Sequence, residues 1–415
     1  MRLRGLLFVV LAAAACSDPS GPDEGRTPRI TQLPRALSTG EQAVITASNA
    51  FGFGLLRELD RTRQDSNVFM SPLSASMAPG MTMNGAVGET FEEMRRALAF
   101  GTTSRAEINA SYRSLIDMLR ALDPTVDFRI ANSIWYRTGF PFESAFLDEA
   151  RQFFDAKVAG LDFNAPSAVT TINDWVKQST NNKIDKIVEP PIDGEVVMYL
   201  INAIYFNGAW TARFEKNQTR QDQFTTIDGT TAPIEMMRRT DTVRVAETAD
   251  LQVVELPYGG GAYAMTILLP KPGKSVSNLV ASLTADAWQT AVASAAAREV
   301  ELQMPKFKLR WEALLNEPLQ ALGMQLPFQG GLADFTRMSS DGKRLYISRV
   351  KQKSYVDVHE EGTEAAAVTS VEIRVVCACG PQVIRIDRPF VFAIRERLSG
   401  TILFMGKIVR PPGGA

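Results

Sequence analysis

Apolar residues recur along the first third of the chain at helical intervals. Between Gln42 and Arg61 the series Val44, Ala47, Phe51, Leu55 and Leu59 advances in steps of three and four, which aligns one face of a helix. Glu92 to Leu98 and Ala106 to Leu122 repeat that spacing. Ser71 followed by Pro72 predicts a further helix start, because the serine oxygen accepts a free first-turn amide and proline has no amide to leave unpaired. Farther on the period changes. Val197 to Phe206 is an apolar run broken by Asn202, the pattern of a strand buried on both faces. Leu251–Leu256 and Ala262–Leu269 flank Pro257-Tyr258-Gly259-Gly260-Gly261, and Phe390–Glu396 and Thr401–Val409 flank Leu398-Ser399-Gly400; both predict hairpins. Early helices and late strands predict an α+β fold. No internal repeat or linker composition interrupts Ser38 to Pro411, so residues 38–412 read as one domain.

The cleanest alternation lies near the C-terminus. Every second residue from Thr363 is small or apolar: Ala365, Ala367, Thr369, Val371, Ile373, Val375. The opposite face is Glu364, Ala366, Val368, Ser370, Glu372, Arg374 and carries all the charge. This period of two predicts a strand with one buried face, and no proline between Glu360 and Gly380 removes a ladder donor. The start of the segment has the wrong composition for a fixed strand. Gly362, Ala365, Ala366 and Ala367 have low strand propensity, and Glu-Ala-Ala-Ala favours helix. The segment therefore suits both an exposed loop and an added strand.

Composition narrows the function. The chain has 415 residues, of which 45% are hydrophobic and 22% charged, with a net charge of -1. No basic excess exists to hold phosphates, so no nucleic-acid partner is expected. His359 is the sole histidine, which disfavours zinc sites and His-based catalysis, and no Gly-x-Ser-x-Gly word is present. No cofactor, metal or enzymatic activity is expected. At the N-terminus, Arg2 and Arg4 precede the apolar run Leu6–Ala15, and Ala13, Ala14 and Ala15 precede Cys16. Residues 1–15 read as an export signal of the bacterial lipoprotein type, with Cys16 lipidated; an ordinary secretory signal cut near Cys16 is the alternative. Residues 16–37 read as a disordered tether. The protein is thus expected outside the cytoplasm, touching membrane only through lipid at Cys16. Cys377 and Cys379 are too close in sequence for an unstrained bridge.

Seven words in order give a resemblance to the serpin family over essentially the whole domain. They are Asn67-Val-Phe-Met-Ser-Pro-Leu-Ser74, Leu200-Ile-Asn-Ala-Ile-Tyr-Phe-Asn-Gly-Ala-Trp210, Leu256-Pro-Tyr with Leu268-Leu-Pro270, Ala333-Asp-Phe-Thr-Arg-Met-Ser339, Leu345-Tyr-Ile-Ser348, Glu360-Glu-Gly-Thr-Glu-Ala-Ala-Ala367 and Arg388-Pro-Phe-Val-Phe392. The resemblance implies helices packed on a large central sheet with further sheets, an exposed reactive-centre loop at about 360–380, and a bacterial, monomeric inhibitor. A target serine protease would cut the loop and form an acyl-enzyme. The loop would then enter the sheet as a new strand and trap the protease before deacylation. Fourteen inserted residues span about 46 Å.

The same resemblance implies site residues. Glu360, Gly362, Thr363, Glu364, Ala365, Ala366 and Ala367 form the hinge. Ser71, Ser74, Asn202 and Gln352 form a polar shutter beneath the sheet, with Gln352 where many members carry histidine. Trp210 marks the breach where the loop first enters. The scissile bond follows Val376, with Cys377 and Ala378 as alternatives; these side chains suit elastase-like or subtilisin-like targets, whereas Arg374 would suit trypsin-like ones. A non-inhibitory binding or chaperone role and cross-class inhibition of cysteine proteases are the competing readings.

Overall fold

The computed structural model describes residues 29–363 and 381–412. Among these residues nine α-helices form: α1 (Thr39–Thr62), α2 (Pro72–Met83), α3 (Gly88–Ala97), α4 (Arg105–Leu122), α5 (Ser144–Phe154), α6 (Pro166–Ser179), α7 (Val276–Ser282), α8 (Ala285–Ala293) and α9 (Asn316–Ala321). The strands are β1 (Val68–Met70), β2 (Val126–Arg137), β3 (Lys157–Leu161), β4 (Met198–Ala209), β5 (Arg220–Thr225), β6 (Thr231–Glu247), β7 (Leu251–Tyr258), β8 (Tyr263–Pro270), β9 (Ala296–Pro305), β10 (Phe307–Leu314), β11 (Lys351–His359), β12 (Gly362–Thr363), β13 (Gln382–Arg385), β14 (Phe390–Glu396) and β15 (Ile402–Ile408).

Local chemistry sets the helix starts. Ser38 and Glu41 cap α1 reciprocally, each side chain accepting from the other's backbone amide. Ser71 accepts from the Ser74 amide at the head of α2, with Pro72 in the first turn. Ser104 caps α4. The start of α2 is the one that Ser71 and Pro72 predict.

Two sheets organise the rest. One runs β1-β15-β14-β8-β7-β6-β9-β13, with β5 paired to β6; the other runs β10-β11-β12-β4-β2-β3. Both predicted hairpins are present as β7–β8 and β14–β15. Helix α2 packs against both β4 and β15, between the two sheets. The main core is continuous from Val44 and Leu55 on α1 through Phe69 to Phe390 and Phe404. A smaller apolar cluster lies on the other face of the six-stranded sheet, where Ile172 and Val176 of α6 cover Trp135 and Ile201.

Two expectations need correction. Strand β4 is not buried on both faces throughout: Ala203–Phe206 are buried, while Met198, Tyr199 and Leu200 are half-buried. Among the described residues, its edge toward β11 is paired only at Gly208 and Ala209. The ordered fold also begins before residue 38. Residues 29–37, assigned to a disordered tether, lie on the domain: Ile30, Leu33 and Leu37 pack against the main core, and the Ile30 amide donates to Gly260 O at 2.8 Å. Three apolar side chains in a polar stretch suffice to dock it.

Candidate functional site

The centre of the six-stranded sheet holds Gly362 and Thr363, with Glu360 in the turn before them. Strand β11 alternates strictly, with Gln352, Ser354, Val356 and Val358 buried between half-buried neighbours. It turns at Glu360 and Glu361 and returns as the two-residue strand β12. There Gly362 lies between His359 and Ala209, and Thr363 between Val358 and Gly208. A Cβ on Gly362 would sit 2.2 Å from Gly208 O and 2.7 Å from the Ala209 Cα, so only glycine fits.

β4 is paired with β2 from Met198 to Gly208, and β11 with β10 from Lys351 to Val358. On their facing edges, the only pairings among the described residues are those to β12. Between them lies the slot, a narrow crevice that must widen to admit a strand. Ile204, Tyr205 and Phe206 line one side, and Tyr355, Val356 and Asp357 the other, with Thr363 above. Thr180, Lys183 and Ile184, following α6, lie across it.

The head of the slot is densely bonded. Trp210 is buried; its indole donates to His359 O at 2.9 Å, and its amide donates to Glu361 O at 2.9 Å. It stacks on Tyr258 at 4.4 Å, and the Tyr258 hydroxyl meets Thr363 Oγ1 at 2.6 Å. Burial pushes the Tyr258 hydroxyl far up. The Glu360 carboxylate accepts from Thr219 Oγ1 at 2.9 Å and lies 3.4 Å from Lys306. Burial alone would raise it, but its own amide, Thr219 and Lys306 together hold it below the usual carboxylate range. Glu361 is held low mainly by a hydrogen bond from Lys216, at 2.7 Å. His359 Nδ1 accepts the Glu361 amide at 3.3 Å.

The four predicted shutter residues lie beneath the sheet but do not form one connected network. Gln352 Nε2 donates to Ser71 O at 3.0 Å, and Ser71 Oγ caps Ser74. Asn202 instead donates to Asn132 Oδ1 at 2.6 Å and faces Met77 Sδ at 3.6 Å. Among the described residues, four buried polar atoms here have no hydrogen-bond partner: Asn202 Oδ1, Gln352 Oε1, Ser354 Oγ and Trp311 Nε1. A strand that supplied partners to such groups would gain about 1–3 kcal/mol for each.

Glu360, Gly362, Thr363 and Trp210 are therefore brought together at the head of the slot, and Ser71, Ser74, Asn202 and Gln352 around its lower inner face. Glu364, Ala365, Ala366, Ala367, Val376, Cys377, Ala378 and Cys16 lie outside the described residues. Beyond residue 380 the chain resumes in the other sheet, where β13 pairs parallel to β9. The segment 364–380 thus joins the middle of one sheet to the edge of the second. Sequence reasoning missed Asn132, Ser354, Trp311 and Thr219. The even-numbered parity of Ser354 with Gln352 was a usable signal; the 70-residue separation of Asn132 and Asn202 gave none.

Residues 46–411 match the family described as Serpin (serine protease inhibitor). Iripin-2 of Ixodes ricinus is 36% identical over 379 residues, spanning 89% of this chain and 94% of its own. Human neuroserpin is 33% identical over 391 residues, spanning 91% and 94%. The crystal structure of human thyroxine-binding globulin superposes with a TM-score of 0.82 at 26% identity, over 90% of this chain and all of that one.

Proposed function

Because this chain belongs to the serpin family, we propose that it is a single-use inhibitor of serine proteases that traps the acyl-enzyme by inserting its cleaved loop into the slot between β4 and β11. The observation that carries this reading is the two-residue strand β12. It occupies the head of the slot, and among the described residues the facing edges of β4 and β11 pair only with it. Continuing β12 in its own register would pair residues 364 onward with both edges and cover the unpartnered polar atoms. The period-two face from Thr363 to Val375, small at its start and apolar at its end, suits that position.

In this mechanism the protease serine attacks the carbonyl of Val376, with Cys377 and Ala378 as the neighbouring alternatives, and the amine side of the cut bond leaves. Insertion then moves the acylated protease about 46 Å, the span of fourteen extended residues. Distorting the protease removes oxyanion stabilisation, in which a single donor is worth roughly 3–4 kcal/mol, so the ester outlives the normal cycle. The small, apolar side chains at the cut favour elastase-like or subtilisin-like targets. Export through the N-terminal signal, with lipid on Cys16, would place the inhibitor on the outer side of a bacterial membrane, where secreted proteases act.

The test is incubation with elastase and with subtilisin, followed by a denaturing gel and mass spectrometry of the released peptide. An SDS-stable complex and a peptide beginning at Cys377 are expected. Clean cleavage without complex, and without a rise in unfolding temperature of the cut protein, would favour a non-inhibitory binding role instead.

A further inference from the structure

The chain's only histidine sits at the joint that aims β12 into the slot. His359 closes β11, Gly362 opens β12, and the two lie opposite each other, so Glu360 and Glu361 form a two-residue hairpin turn. His359 Nδ1 accepts the Glu361 amide at 3.3 Å, a side chain bonding its own backbone two residues on. An imidazole nitrogen can accept only while it carries no proton. The turn is also held from the segment after β4: the Trp210 indole donates to His359 O and the Trp210 amide to Glu361 O. The charged groups around the turn are already matched. Glu360 accepts from Thr219 and faces Lys306, which also lies 3.7 Å from Glu235 of β6. Glu361 pairs with Lys216, and Arg213 is close enough to lower it further. Asp357, two residues earlier on the same face of β11, accepts from Tyr355 and lies 3.5 Å from Lys308.

A proton on Nδ1 turns an acceptor into a donor that faces another donor. Glu361 attracts the new charge, but Lys216 already occupies that carboxylate and Lys306 the neighbouring one. A further exposed ion pair there returns little. Loss of the amide bond therefore decides the direction, and the turn loosens in acid. We propose that His359 is a pH-sensitive latch on the head of the slot: neutral, it holds Gly362 and Thr363 in register for insertion; protonated, it frees them. The proposal rests on the loop-insertion reading above. Insertion extends β12, so it needs β12 in place. The inhibitor then traps protease efficiently near neutral pH and is spent as a plain substrate in acid. Histidine is the side chain whose ordinary charge change falls between about pH 8 and pH 5. Glu360 and Glu361 stay ionised over that range, because their partners hold both below the usual carboxylate range.

The experiment compares the full chain with His359→Asn and His359→Ala at about pH 7.5 and about pH 5. Asparagine accepts the same amide but takes up no proton, and alanine accepts nothing at either pH. Hydrogen exchange of residues 359–363, corrected for the intrinsic effect of pH, reads the turn. Inhibitor consumed per subtilisin trapped reads the consequence, normalised at each pH to His359→Asn to remove the protease's own pH dependence. On going to acid the full chain is expected to lose protection at least about fivefold, a ratio equivalent to ~1 kcal/mol where 1.4 kcal/mol is tenfold. His359→Asn should keep its protection at both pH values and His359→Ala should lack it at both, with consumption following the same order. Glu396, raised by burial in the β14–β15 turn, is the other group pushed toward this range, and His359→Asn retains it. A pH response shared by His359→Asn, or equal protection of the full chain at both pH values, overturns the latch. Each form is also cut in the loop and its unfolding temperature measured. If cutting raises none of them, the insertion reading falls and the effect on trapping with it, while a protection change confined to the full chain still establishes the latch.

Discussion

The slot's register makes one substitution informative about both of its states. Thr363 lies opposite Val358 and Gly208. Each residue farther along an inserted strand moves one position back on both neighbours, so Thr369, six residues on, comes to lie between Gln352 and Asn202. An even offset keeps it on the inner face, where Thr363 contacts Tyr258. Gln352 Oε1 and Asn202 Oδ1 both lack a donor among the described residues, and a threonine hydroxyl has one proton to give. Thr369→Val preserves shape and deletes that proton. The uncut protein should change by less than about 0.5 kcal/mol. The cut, inserted protein should lose about 1–2 kcal/mol, the value of one net buried hydrogen bond plus the acceptor left unsatisfied. Urea unfolding of the two forms side by side measures this. More inhibitor should also be consumed per protease trapped, because slower insertion leaves time for deacylation. Equal losses in both forms, or none in the cut form, would refute the register and with it the role given to these acceptors.

Three further outcomes follow from the same geometry. Gly362→Ala places a methyl 2.2 Å from Gly208 O; it should expel β12 and destabilise the uncut protein by about 3 kcal/mol or more, read by thermal unfolding and by increased protease sensitivity near residue 362. Tyr258→Phe removes the hydroxyl bonded to Thr363 and should cost about 1–2 kcal/mol in urea unfolding while leaving the Trp210 stack in place. Glu41 is lowered from 4.5 to about 2, first by the Arg35 hydrogen bond. A depressed carboxyl stabilises the fold above its ordinary value and loses that contribution as pH falls. Glu41→Gln should therefore be about 1–2 kcal/mol less stable at neutral pH, discounted because Arg35 is half exposed. The gap should close between pH 4.5 and 2, and a pH-independent gap would contradict the assignment.

Much of this fold was legible because its signals are local. Ser71-Pro72 starts a helix where an oxygen and a missing amide solve the same first-turn problem. The Gly-rich turn after Tyr258 closes the β7–β8 hairpin. The two-residue strand Gly362–Thr363 was readable because it opens a strand-period pattern. What escaped depends on partners distant in sequence. Asn132 meets Asn202 through the β2–β4 register, and Trp311 lies opposite Ser354 through β10–β11. The arm escaped for a different reason. Its flanking composition is that of a linker, and three apolar residues at Ile30, Leu33 and Leu37 are too few to outweigh it without their distant partners in the core.

The width of the slot also sets the kind of response this molecule gives. A gap that accepts one strand is filled once, and a filled sheet has no facing edges left to pair. Under the proposed mechanism the protein therefore counts proteases rather than regulating their turnover: capacity equals copy number, whatever the affinity. Any protease that cuts the loop where insertion outruns attachment spends a copy without being counted. Protection against such enzymes then depends on the rate of synthesis and on how rarely β4 and β11 part by themselves.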